Sequence, residues 1–166
     1  MVTAQMMALD QALAELTVPQ PDPGRWAGQL AEVARQMRAV IGRHRDIVPS
    51  SIGVLPGGGH ALRCHERVLA IMRAGGLPDG QAVAGLHLLW VIVTSFSLEE
   101  TRTEDPERPG PDLSSEVKRY FAALPDDRFP NLVAVADEFA QTDWDERFEL
   151  LISIFIDGLT GQARLS

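Results

Sequence analysis

Apolar residues in the first half of the chain recur every three or four positions, the spacing that places them on one face of a helix. This pattern predicts a helix over residues 2–16, a second over residues 23–43 and a third over residues 61–74. The second opens at Asp22, because an aspartate followed by a proline is typical of a helix start. The third ends at Gly75, since glycine is favoured directly after a helix.

Two later segments, residues 78–102 and 145–159, are apolar on every side rather than on one face. A helix of this kind must be covered from more than one direction. A chain of 166 residues has too little core for both, so we expect a symmetric homodimer in which these helices pack against their copies. The most apolar stretch, residues 82–98, is shorter than the ~20 residues that cross a bilayer, so no membrane span is expected.

The remaining segments are shorter and more polar. Proline and glycine interrupt residues 46–59, and residues 101–111 form a charged, proline-rich loop. Short helices are expected over residues 112–124 and 129–140, and the polar residues 142–145 predict the start of the last helix at Asp145. No strand pair and no internal repeat is evident. The sequence therefore predicts an all-α fold of about seven helices in one domain over residues 1–166.

Charge is distributed unevenly along the chain. The net charge is −8, and residues 99–149 carry 15 acidic against 6 basic side chains, whereas residues 1–98 are close to neutral. Because nucleic-acid phosphates attract clustered Lys and Arg, this chain alone is not expected to bind DNA or RNA. Cys64 is the only cysteine, which excludes an internal disulfide and fits a reducing compartment. The first residues lack the basic region of a signal peptide, so we expect a cytoplasmic protein.

Motifs for catalysis and for metal binding are scarce. No nucleophile with an adjacent base, glycine-rich phosphate loop or zinc-protease motif is present, so the chain is not expected to be an enzyme. His60 and Cys64 lie four positions apart with His65 next to them, but two ligands without a third do not define a metal site. No metal and no cofactor are expected. His87, inside an apolar helix, is interpreted as a core or interface histidine.

Several short motifs occur in a distinctive order along the chain: Trp26, Gly42-Arg43-His44-Arg45-Asp46, Pro56, Arg73-Ala74-Gly75-Gly76-Leu77, Leu98-Glu99-Glu100, Phe129-Pro130, Asp145-Glu146-Arg147-Phe148-Glu149 and Asp157-Gly158-Leu159. This order resembles the C-terminal domain of TetR-family transcriptional repressors. In that family an N-terminal helix-turn-helix head binds DNA, and the C-terminal domain dimerises and binds a small effector. The resemblance implies that residues 1–17 correspond to the linker helix of a DNA-binding head absent from this chain.

The resemblance also implies positions for the two binding surfaces. The two all-apolar helices would form a four-helix dimer bundle, with the interface residues Val83, Leu89, Val93, Phe148, Ile152, Phe155 and Leu159. The effector cavity would be walled by Val33, Met37, Leu55, Pro56, Val68, Leu86, Trp90 and Glu99. Such a wall suits a small hydrophobic effector with a few polar anchors. Trp90 is predicted to line either the effector cavity or the dimer interface.

The tetracycline-binding members of the family offer a comparison at single positions. Glu99 falls on the glutamate that these members use, but the position of their histidine is Ser51, and two positions of polar amides are Val33 and Val68. These departures argue against a magnesium-chelated tetracycline. Glu99 is placed either at the ligand or in an ion pair with Arg102 or with an arginine of a second copy.

Two functions are compatible with this sequence. The first is the ligand-sensing and homodimerisation domain of a TetR-family repressor, in which a small molecule modulates DNA binding by the intact protein. The alternative is an interaction protein without a DNA-binding head that pairs with full-length relatives and sequesters them.

Overall fold

The computed structural model describes residues 4–44, 57–103, 113–140 and 143–164. Helices account for most of these residues, and none of them lies in a strand. The described residues form seven α-helices: α1 (Ala4–Leu13), α2 (Trp26–Arg43), α3 (Gly59–Ala74), α4 (Asp79–Thr103), α5 (Leu113–Ala122), α6 (Pro130–Ala134) and α7 (Trp144–Arg164), with a short 3₁₀ helix at Glu138–Ala140. The predicted all-α fold is confirmed.

The chain divides into two compact units. The larger unit, Met1–Glu99 with Leu150–Ser166, contains α1 to α3, most of α4 and most of α7. The smaller unit, Glu100–Glu149, contains α5, α6 and the 3₁₀ helix. Within the smaller unit the rings of Phe121 and Phe139 meet edge to face at 4.8 Å, and Lys118 Nζ lies 2.9 Å from Asp137 Oδ1.

The larger unit is built around α2 and α3, which pack on each other and on α1. Helix α2 buries residues that recur along one of its faces: Leu30, Val33, Ala34, Met37, Val40 and Ile41. From α3 the interior receives Ala61, Cys64, Val68, Ile71 and Met72. Apolar side chains at helical spacing thus form the contact between these helices.

Helix α2 begins at Trp26, three residues later than predicted. Asp22 does not cap the helix, because its Oδ1 accepts a hydrogen bond from the backbone N–H of Gly24 at 2.9 Å. The side chain of Gln29 holds the preceding segment instead. Its Oε1 accepts from the N–H of Asp22 at 3.0 Å, and its Nε2 donates to the carbonyl of Gln20 at 2.6 Å.

Helix α3 ends in a tight glycine turn, as predicted. The N–H of Gly76 donates to the carbonyl of Arg73, and the N–H of Leu77 donates to that of Met72, the bond pattern of a Schellman cap. Gly76 has φ +87°, which favours glycine. Glycine is also required at position 75, because a Cβ there would overlap the ring of Trp26.

Two of the helices predicted in the last third of the chain differ from their predicted extents. Helix α7 begins at Trp144, because Asp143 Oδ1 accepts hydrogen bonds from the N–H groups of Asp145 and Glu146 at 2.9 and 3.0 Å. It continues to Arg164, five residues beyond the predicted end. The helix predicted over residues 129–140 is divided into α6 and the 3₁₀ helix.

Candidate functional site

The predicted effector wall falls into three groups. Val33, Met37 and Val68 are buried on α2 and α3, each less than 4% exposed. Leu86 and Trp90 are half-buried and lie one turn apart on α4. Glu99, near the end of α4, is exposed. Leu55 and Pro56 lie outside the described residues.

Trp90 connects three helices. Its side chain packs against a buried cluster of Leu9, Leu13 and Ala61, which come from α1 and α3. Its ring also meets the ring of His65 on α3 edge-on, with centroids 6.4 Å apart and planes at 89°. Trp90 therefore contacts α1, and it also contacts α3, which contributes to the wall of the predicted cavity.

The indole nitrogen of Trp90 has an unusual environment. Nε1 is buried and has no hydrogen-bond partner in the part of the chain that the structure describes. Buried indole N–H groups ordinarily find an acceptor, because an unsatisfied donor loses its hydration without compensation.

The histidines and the cysteine of α3 do not assemble a metal site. Burial lowers the pKa of His65 from its ordinary value and raises the pKa of the Cys64 thiol to about 11. His60 Nδ1 lies 3.0 Å from the guanidinium Nη2 of Arg63. No group of three potential ligands occurs among the described residues. His65 was considered in the sequence only as a metal ligand, and no spacing rule reveals its contact with Trp90.

A surface groove of about 620 Å³ lies between the end of α1 and the outer side of α3. Its lining combines apolar and charged side chains: Leu13, Ala14, Leu16, Val18, His60, Leu62, Arg63, Cys64, Glu66 and Arg67. None of the predicted wall residues contributes to it. Its volume is within the range of small-ligand sites, but it is separate from the predicted cavity.

Helix α1 is fastened to the rest of the larger unit by polar contacts. Asp10 Oδ1 accepts hydrogen bonds from the backbone N–H groups of His60 and Ala61 at 2.9 and 2.8 Å, so it caps α3 from a different helix. After α1, Glu15 bonds Arg43 Nη2 at 2.6 Å and His44 Nε2 at 2.7 Å. These partners lower the pKa of Glu15, the His44 hydrogen bond most strongly.

The residues predicted for the dimer interface differ in their exposure within the single chain. Leu89, Val93, Phe148, Ile152 and Leu159 were predicted to face a second copy, but each is at most 8% exposed within the single chain. Their side chains are already covered by the chain's own packing, and their role in a dimer stays a prediction. Of the seven predicted residues, Phe155 is half-buried and Val83 is 60% exposed.

A different set of apolar side chains is exposed on α4 and α7: Val83, Leu88, Val91, Leu150 and Ile154. The two helices run antiparallel, since Gln81 Nε2 donates to Gln162 Oε1 at 3.2 Å and a Cβ on Gly85 would lie 3.2 Å from Leu159. His87 is exposed on the same side of α4 as Val83 and Leu88, so a position in the chain's own core is excluded.

By length and composition alone, the segment Asp79–Thr101 of α4 also meets the criteria for a membrane-spanning helix. Its mean hydropathy is 1.6, and about a third of its most apolar stretch is buried within the chain. The prediction that no segment is long enough was therefore too strong, because α4 extends beyond residues 82–98. A helix of a dimeric protein that packs partly on its own chain and partly on the second subunit is equally long and apolar.

The comparisons with known proteins identify the family. Residues 18–163 match the family described as tetracyclin repressor-like, C-terminal domain. The chain belongs to this family of TetR-type transcriptional regulators, which are not enzymes. No curated protein sequence matches the chain.

Solved structures agree with this assignment. ActR of Streptomyces coelicolor is 36% identical, and the match covers 96% of this chain and 75% of ActR, with TM-scores of 0.86 for apo ActR and 0.88 for ActR in complex with actinorhodin. A third ActR structure contains (S)-DNPA. The regulator SCO7222 of the same organism is 18% identical over 95% of this chain and 74% of its own, with a TM-score of 0.71, and supports the fold alone.

Proposed function

We propose that this chain is the effector-sensing and homodimerisation domain of a cytoplasmic TetR-family repressor. A small hydrophobic effector binds among α2, α3 and α4 and changes the packing of α1. In the intact protein, α1 carries a DNA-binding head, so this change alters DNA binding. The ligand shifts the equilibrium by its difference in affinity for the two positions of α1.

The position of Trp90 is the observation that carries this proposal. Its side chain packs against Leu9 and Leu13 of α1 and meets His65 of α3. A ligand that displaces the indole therefore disturbs the packing of α1 directly. The contacts of Asp10 with α3 and of Glu15 with Arg43 join α1 to both helices that wall the cavity, so movement of those helices also reaches α1.

The homodimer forms through the exposed apolar side chains of α4 and α7 in this proposal. Val83, Leu150 and Ile154 are each about 60% exposed and lie on neighbouring antiparallel helices. Pairing this surface with its copy gives a bundle of four helices and covers the open side of α4. It also removes apolar area that a monomer would leave in water.

The first ligands to test are actinorhodin and (S)-DNPA, because structures of the 36% identical ActR contain them. Isothermal titration calorimetry of the purified chain should give saturable binding with one ligand per chain. Met37→Trp, which fills the interior beside α3, should abolish binding. Leu62→Trp, at an exposed position of α3, should leave binding unchanged. Circular dichroism checks that both variants are folded. Failure of both ligands to bind, or equal binding by the two variants, would contradict the proposed cavity.

A further inference from the structure

The Trp90 indole N–H is a buried donor for which the described residues provide no acceptor. One turn further along the helix, Thr94 Oγ1 donates to the backbone carbonyls of Trp90 and Val91 at 2.7 and 3.2 Å. A buried donor such as the Trp90 N–H calls for a partner, and a bound ligand with an acceptor atom can supply one.

The surroundings of Trp90 restrict the kind of acceptor that fits. The buried cluster against which Trp90 packs, Leu9, Leu13 and Ala61, is apolar. A charged acceptor buried among such side chains would need a compensating charge, whereas a neutral oxygen needs only the one donor. Part of the indole remains uncovered, since Trp90 as a whole is half-buried, and a flat ligand can pack on that part.

Access to the nitrogen requires a small local change. Nε1 is closed to water in the unliganded chain, so a covering side chain must shift before an acceptor reaches it. His65 meets the indole ring edge-on and is itself half-buried, which leaves it room to change its rotamer.

We propose that the indole N–H of Trp90 is the hydrogen-bond anchor of the effector site and selects flat ligands that present an uncharged carbonyl oxygen to it. This inference rests on the proposed function and adds to it the chemical class of the effector. It assigns Trp90 two roles, because the ring contacts α1 and the nitrogen holds the ligand.

The test compares 9-fluorenone with fluorene, two planar molecules that differ only in a carbonyl group in place of a methylene group. The readout is the indole ¹⁵N–¹H NMR signal of the full chain, which contains three tryptophans, with Trp90→Phe assigning the Trp90 peak. Fluorenone should move that peak downfield, and fluorene should not. Trp90→Phe keeps an aromatic ring and removes the hydrogen-bond donor. It should lower the affinity for fluorenone roughly tenfold and change the affinity for fluorene by less than about twofold. Trp144→Phe, at the start of α7, is the matched control and should change neither.

Three results would overturn the inference. Equal affinity of the two probes, or no downfield movement of the Trp90 signal, would show that the nitrogen does not hold the carbonyl, while the cavity itself would stand. Binding of neither probe would exclude this ligand class. The proposed function would fail separately, through the titrations with actinorhodin and (S)-DNPA described above.

Discussion

Replacing Asp10 with alanine removes the carboxylate through which α1 caps α3. The N-cap residue of α3 is Gly58, which has no side chain to accept from the first N–H groups of the helix. Asp10 Oδ1 accepts from two of them, at 2.9 and 2.8 Å, across 50 and 51 positions of sequence. The glycine makes room for this contact, because a Cβ on Gly58 would overlap the Asp10 carboxylate.

The expected cost of Asp10→Ala follows from these two bonds. Loss of an N-cap side chain costs about 1 kcal/mol, and the favourable position of a negative charge at a helix N-terminus adds a few tenths to about 1 kcal/mol. The total is about 1–2 kcal/mol. For a chain of this length, that lowers Tm by about 2–8 °C. Asp10→Asn keeps an acceptor without the charge, so it should show about half of the loss.

Thermal unfolding followed by circular dichroism measures both variants, at one protein concentration because dimerisation affects Tm. Gly58→Ala should also destabilise the chain, through its overlap with Asp10. The loss in the double variant should be smaller than the sum of the single losses, since the two substitutions act on one contact. Additive losses, or a Tm for Asp10→Ala equal to that of the wild type, would refute the cap.

Three further results are expected. Ile154→Glu should convert the dimer to a monomer in size-exclusion chromatography with light scattering, whereas Leu62→Glu, at a similarly exposed site on α3, should remain dimeric; dissociation of neither would contradict the α4–α7 surface. The thiol of Cys64, with its pKa raised to about 11, should react slowly with Ellman's reagent at pH 8 and rapidly in denaturant, and fast reaction of the native chain would contradict its burial. The lowered pKa of His65 means that the folded chain binds a proton less readily than the unfolded chain, so its contribution to stability is present above about pH 6.5 and is lost as pH falls through the folded-state pKa. An NMR titration of the His65 ring with a midpoint at or above the ordinary value would refute this.

The sequence predicts helices well where one face is apolar and the other polar. The buried side of α2 follows directly from the spacing of Leu30, Val33 and Met37, because a polar stripe marks the opposite side. The glycine turn after α3 was also predictable, since few residues other than glycine adopt the φ of Gly76.

The exposed side of α4 could not be predicted in the same way. An all-apolar helix has no polar stripe, so nothing in the pattern separates Leu89, which is 1% exposed, from its neighbour Leu88, which is 48% exposed. The seven residues predicted for the interface therefore include five that the single chain buries.

Long-range polar contacts could not be predicted from the sequence either. The Asp22-Pro23 pair reads as a helix start, but the side chain of Gln29 reaches back to this segment and α2 begins later. The cap of α3 comes from Asp10, 50 positions before His60, and no local pattern indicates it. The contact between His65 and Trp90 likewise depends on how α3 and α4 pack.

Native mass spectrometry of the chain, alone and with actinorhodin, tests the central claim most directly, because one spectrum reports both subunit number and bound ligand. The account predicts a species of twice 18.2 kDa that takes up two ligands, and a monomer for Ile154→Glu. A wild-type chain that stays monomeric, or a dimer that binds no ligand, would contradict a domain that senses an effector as a homodimer.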